Sequence, residues 1–149
     1  IQKLTSLCYK KLSMSKKNSN VNLKKVFKDH KNLSNIFLDF KNKLDFLKKK
    51  KFLIAVSGGP DSLALVALSK AYSYYDKKIK FYYLLVDHNI RKNSSKEAIQ
   101  VKNLLKKKKV DLKIIRNKKK ITRNIQGEAR NIRYDILSNF CKKKKINVI

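Results

Sequence analysis

The chain has 149 residues, enough for about one domain with a real core. Its 39 Lys and Arg against 10 Asp and Glu give a formal charge of +29, which excludes a neutral or acidic surface and predicts salt-sensitive attraction to polyanions, nucleic acid foremost. No apolar stretch nears the roughly 20 residues of a membrane span, and Cys8 and Cys141 stand alone, without Cys-x-x-Cys or paired His, so neither a zinc site nor a disulfide framework is supported.

In chain order, residues 1–30 form a basic segment without sustained period and are expected to be loose, with Leu23, Val26 and Phe27 docking a short turn. The chain opens on Ile1 and its single Met is Met14, so Met14 is expected to be the native start. The first dozen residues lack a signal-peptide apolar region, and a cytoplasmic location is expected. Residues 31–149 are assigned to a single domain. Ser34 is expected to cap a helix carrying Leu33, Phe37, Phe40, Leu44 and Leu47 on one stripe. Phe52–Val56 reads as a buried strand, residues 62 to about 75 as a helix, and Ile79–Val86 as a second strand with both faces covered. Ser94-x-x-Glu97 reads as a capping box opening a helix to Lys109, with Ala98, Val101 and Leu105 inward. Val110–Ile115 is the third strand, Gly127 to about Lys145 a helix with Ala129, Ile132, Ile136 and Phe140 in line, and Ile146–Ile149 the start of a fourth strand. The alternation implies an α/β fold with a doubly wound parallel sheet and right-handed crossovers. The chain stops inside an apolar run, so a fragment truncated after the start of the fourth strand is expected.

Between the first strand and its helix lies Ser57-Gly58-Gly59-Pro60-Asp61-Ser62. Glycines let the main chain approach a ligand, and the N-terminus of the following helix favours an anion. Ser57 and Ser62 add hydroxyls, and Asp61 adds a carboxylate suited to Mg2+. A Walker A loop is excluded, because neither glycine opens Gly-x-x-x-x-Gly-Lys. Val86-Asp87-His88-Asn89-Ile90-Arg91 leaves the second strand at the same sheet edge, where Asp87 and His88 meet a nucleotide's base and ribose, shape the pocket wall, or form a helix-capping or loop-packing pair, the commoner use of a lone Asp-His. In Asn124-Ile-Gln126-Gly-Glu-Ala-Arg130-Asn-Ile-Arg133-Tyr134, Arg130 and Tyr134 stand one helical turn apart beside Arg133. The two guanidiniums either contact phosphate or RNA or form a solvated basic face. The lysine excess, in runs such as Lys48–Lys51, Lys106–Lys109, Lys118–Lys120 and Lys142–Lys145, is read as nucleic-acid attraction or as an A/T-rich coding bias, and the two coexist.

In order and spacing these three motifs resemble the amino-terminal half of the catalytic domain of the tRNA(Ile)-lysidine synthetase family, within the PP-loop ATP-pyrophosphatases, over residues 52–149. Asn89 stands where that family usually has Gly, and Gly127-Glu128 replaces a more basic pair. The resemblance implies a PP-loop, adenine nucleotide α-hydrolase-like fold and ATP and Mg2+ as cofactors. It implies ligation of free L-lysine to the wobble cytidine of a CAU-anticodon tRNA(Ile) through an adenylated intermediate. Ser57, Gly58, Gly59, Pro60, Asp61 and Ser62 would bind ATP, with Asp61 the catalytic and metal-handling carboxylate. Asp87 and His88 would line the pocket, and Arg130 and Arg133 would touch phosphate or tRNA. The family's His-His-x-Asp-Asp segment and its lysine-binding carboxylates are expected beyond Ile149, and the piece is expected to be inactive alone. A PP-loop thiolase and a non-catalytic ATP- or RNA-binding fragment are the alternatives; no protein or membrane partner is expected.

Overall fold

In the computed structural model, residues 31–118 and 124–149 are described. The expectations for residues 1–30, including Cys8, Met14 and the Leu23–Phe27 turn, lie outside them. The elements alternate: α1 (Lys31–Leu47), β1 (Lys51–Ala55), α2 (Pro60–Tyr75), β2 (Lys80–Asp87), α3 (Ser94–Lys107), β3 (Leu112–Arg116) and α4 (Ile125–Lys144). The three strands form one parallel sheet in the order β1-β2-β3. β1 pairs with β2 from Lys51 opposite Lys80 to Ala55 opposite Leu84, and β2 with β3 from Tyr83 opposite Leu112 to Asp87 opposite Arg116. After α4 the chain returns to the free edge of β1, where the Leu53 N–H donates to the Val148 carbonyl at 3.0 Å. The expected fourth strand is present here as a single ladder-type bond. No helix among the described residues is long and apolar enough to cross a membrane.

Alternate residues of each strand feed opposite faces, as a pleated sheet requires. Ile54, Val56, Tyr83, Leu85 and Leu112 pack under α2 and α3 with Val66, Ala98 and Leu105, whereas Leu53 and Leu84 pack under α4 with Leu137, Phe140 and Cys141. Helices therefore cover both faces, and the winding reverses at β1, where ligand crevices of open α/β sheets form. α1 closes the amino end of β1 through Phe37 and Leu44 against Phe52, Ala71 and Tyr72. The Tyr72 hydroxyl donates to Asp45 at 2.5 Å, and Lys41 holds the same carboxylate at 2.6 Å. A polar pair deep in the core is satisfied: Ser69 donates to the Val66 carbonyl at 2.9 Å and lies 3.1 Å from the Tyr83 hydroxyl.

Five local expectations change. Ser34 lies within α1 and is not its cap, and Leu47 of the expected stripe is exposed. α2 begins at Pro60, two residues early, because proline's fixed φ and missing N–H suit a first helical position. Ser94 does not cap α3: Asn93 is the N-cap, the Ser94 side chain turns inward, and Glu97 pairs with Arg91 at 3.1 Å. Val110 is not strand; its N–H donates to the Leu105 carbonyl at 3.0 Å and closes α3.

That closure recurs with an unusual residue. Lys109 (φ 56) and Lys145 (φ 53) adopt the left-handed conformation after α3 and α4, and the next residue bonds back to Leu105 or Cys141 in a Schellman arrangement. Glycine normally occupies that position because a side chain is strained there. Lys48 (φ 50) follows α1 in the same conformation.

Asp87 ties the carboxyl edge of the sheet. Its side chain, in a residue 5% exposed, accepts from the Ser95 hydroxyl at 2.7 Å and the Asn89 N–H at 2.9 Å, and Arg116 Nε lies 3.4 Å away. Its carbonyl accepts from the Asn117 N–H at 2.8 Å. Burial alone would raise its pKa, but the hydroxyls of Ser95 and Ser94, the Asn89 N–H and the Arg116 guanidinium outweigh it, and the carboxyl titrates below its ordinary value. Asn89 itself is left-handed (φ 55), which asparagine tolerates better than most residues, so the departure from glycine costs little.

Two outcomes follow from these contacts. Lys145→Gly should stabilise the fold by about 1 kcal/mol in urea unfolding, and a loss of stability would contradict the strained cap. Asp87→Asn should cost about 2 kcal/mol at neutral pH. Because the folded pKa lies below the unfolded value of about 3.9, that stabilisation is complete above this value and vanishes as pH falls through the folded pKa. Urea unfolding of both proteins from pH 7 to pH 2 should show the gap closing only in the acid limb.

Candidate active site

The loop between β1 and α2 sits at the carboxyl end of the sheet, at the reversal in winding. Gly58 is left-handed (φ 85), and a Cβ there would stand 2.8 Å from Val101 Cγ2 of α3, so glycine is needed for both conformation and space. Gly59 has ordinary backbone (φ −71, ψ 163), and a Cβ would meet only Ser57 Oγ at 3.5 Å. The two serines close the loop on itself. Ser62 Oγ donates to the Gly59 carbonyl at 2.9 Å and lies 3.2 Å from Ser57 Oγ, while the Ser57 and Gly59 N–H groups donate to Ser62 Oγ and Ser57 Oγ. Pro60 has no N–H, so Asp61 and Ser62 supply the outward main-chain donors of the first turn of α2, and Asp61 projects its carboxylate from that turn into solvent.

Beside the loop opens a cleft of about 960 Å³. Ser57, Asp87 and His88 line its strand side, and Arg130 and Arg133 its helix side. Arg133 Nε and Nη2 lie 3.2 and 3.1 Å from His88 Nε2. A guanidinium only donates, so Nε2 accepts and the imidazole is neutral with its hydrogen on Nδ1. Burial lowers the His88 pKa, the Arg133 charge lowers it further, and Asp87 opposes both. Nδ1 is buried and has no partner among the described residues. The Arg130 guanidinium lies 5.2 Å from the centre of the Tyr134 ring, one turn along α4, which holds it by a cation–π contact.

Sequence spacing thus brought Ser57, Asp87, His88, Arg130 and Arg133 onto one cleft. Gly58, Gly59, Pro60, Asp61 and Ser62 flank that cleft as its adjoining loop and do not line it. The Asp87 oxygens accept internal bonds from Asn89 and Ser95, as in the loop-packing option. The reading missed Arg91, Ser94 and Gln126, which also line the cleft, and Arg116, which supports Asp87. Arg116 carried a signal: a cation ending an apolar strand, in register with the acid that ends its neighbour.

A family model described as the PP-loop domain, an ATP-binding family, matches residues 16–149. Among curated proteins, the chain is 41% identical over 106 residues to the tRNA(Ile)-lysidine synthase of Orientia tsutsugamushi (strain Boryong), covering 68% of this chain and 23% of that protein. It is 34% identical over 102 residues to that of Rickettsia africae (strain ESF-5), covering 66% and 21%, and 34% identical over 107 residues to that of Bartonella henselae (strain Houston 1), covering 70% and 22%. The chain therefore spans between a fifth and a quarter of the length of these relatives. No solved structure matches it. A glycine turn at the switch point of a parallel sheet is where a nucleotide-binding loop belongs, and with a match across most of its length the chain belongs to the PP-loop domain family.

Proposed function

We propose that the protein carrying this chain joins L-lysine to the wobble cytidine of a CAU-anticodon tRNA(Ile), forming lysidine at the expense of ATP. The observation that carries this reading is the Gly58 loop opening beside a cleft walled by His88, Arg130 and Arg133, in a chain whose relatives bear the synthase name. A cytoplasmic location accords with a tRNA substrate. In the first step the cytidine C2 oxygen attacks the α phosphorus of ATP, and pyrophosphate leaves. In the second, the lysine ε-amine attacks C2 and AMP leaves, carrying the oxygen away.

Each residue has a physical task in the first step. Ser57, Gly58, Gly59, Pro60 and Ser62 shape a cradle for the outer phosphates, to which the first turn of α2 adds main-chain donors and a positive dipole end. Mg2+ ordinarily takes one or two carboxylates plus phosphate oxygens and water, and the solvent-facing Asp61 carboxylate beside the cradle fits that donor set. When bound, the ion would neutralise charge on the leaving pyrophosphate. Arg130 and Arg133 bring positive charge to the far wall for phosphate groups of ATP or tRNA. His88 keeps the Arg133 guanidinium oriented, acting through it rather than on substrate. Sulfur transfer is the weaker reading, because the cysteine among the described residues, Cys141, is 6% exposed on the sheet-facing side of α4 and burial pushes its thiol pKa up.

Asp61→Ala should abolish ATP–pyrophosphate exchange while leaving tRNA retention largely intact; unchanged exchange would refute the assigned role. Mass analysis of the tRNA anticodon after depletion of the protein should show loss of a lysine adduct, and loss of sulfur would favour a thiolase. His88→Ala should raise the KM for ATP or tRNA about tenfold, and His88→Gln, whose carbonyl also accepts from Arg133, should recover most of it. Equal losses in the two variants would remove the orienting role.

A further inference from the structure

The end of the molecule opposite the cleft collects most of the lysines among the described residues. In a parallel α/β sheet the helices run back against the strands, so every helix carboxyl end and every strand start share one end. Four lysine groups meet there: Lys48–Lys51, Lys77 with Lys78 and Lys80, Lys106–Lys109, and Lys142–Lys145. Contacts join the first, second and fourth of these groups, and Lys70 of α2 reaches the third. Lys51 and Lys80 are register partners, and the Lys80 N–H donates to the Lys50 carbonyl at 2.8 Å. The Lys51 ammonium reaches the Lys144 carbonyl at 3.4 Å, and that of Lys70 reaches the Lys109 carbonyl at 3.0 Å.

Helix dipoles account for part of this charge, since Lys106, Lys107 and Lys142–Lys144 occupy last turns. They do not account for Lys48–Lys51, Lys77, Lys78 and Lys80, which lie outside the helices, nor does a coding bias, which has no reason to prefer one end. Among the described residues at this end, Asp45 is already held by Lys41 and Tyr72, and Asp76 by the Lys78 N–H. Aromatic rings stand exposed among the lysines. Tyr74 and Tyr75 are 47% and 60% exposed, with the Lys70 and Lys41 ammonium groups 5.5 and 5.2 Å from their centres, and Phe46 is 84% exposed. Lysines interleaved with open rings suit a phosphate backbone with unstacked bases.

We propose that this end is a second RNA-binding surface, which grips the phosphate backbone of the RNA some distance from the cleft. It goes beyond the ligase reading and does not depend on turnover. The test is binding of a tRNA transcript, followed by fluorescence anisotropy across a KCl series, to the protein carrying this chain. Lys49→Gln, Lys77→Gln, Lys78→Gln and Lys143→Gln combined, all at exposed positions, should lower the slope of log affinity against log salt by about three. In parallel, bound tRNA should protect these lysines from acetylation. An unchanged slope with no protection overturns the surface, as does protection by anionic lipid vesicles but not by tRNA. Asp61→Ala measured alongside separates the two readings: it removes exchange if the ligase reading holds and leaves this slope unchanged in either case.

Discussion

The organisation of the site depends on one steric constraint, the left-handed turn at Gly58 pressed against Val101. The turn directs the chain from the end of β1 into the first turn of α2, and Val101 belongs to the helix that follows β2. One close approach therefore sets the loop relative to two crossovers. The serines then fix its shape by bonding to each other and to the loop's main chain. The opposite wall is placed by α4, which packs on the other sheet face through Leu137, Phe140 and Cys141 and carries its arginines toward the mouth.

The element order, the doubly wound sheet and the inward residues of α3 were legible because each rests on local period: alternation in the strands, spacing of three and four in the helices. The Ser57–Ser62 loop was legible because its residue types stand at fixed offsets. Errors fell where long-range contacts override local chemistry. Ser94 has the sequence of a cap, yet its side chain turns into the cleft wall and Glu97 is taken by Arg91. Val110 has strand propensity, yet it seals a helix against Leu105. The His88–Arg133 pair joins residues 45 apart in sequence, and no periodicity reports such a contact.

Two electrostatic regimes coexist in the fold. At the cleft, cations are few and individually oriented: Arg133 by an imidazole, Arg130 by a tyrosine ring, Arg91 by the Glu97 carboxylate. At the opposite end, charge is numerous, exposed and screened by salt. The first arrangement suits directional contacts in one small volume. The second suits retention of a long polyanion without regard to sequence.

The lysines at left-handed helix ends change how the glycines of the loop are understood. Only three glycines occur in the whole chain, and positions where most proteins use one are filled by strained cationic residues instead. Against that scarcity, Gly59 is conspicuous, because its backbone would accommodate an ordinary side chain and its nearest neighbour would yield room for a methyl group. Folding gives no reason for the bare main chain there; the missing side chain leaves open ground above the serines, suited to an incoming molecule that must rest directly on the peptide.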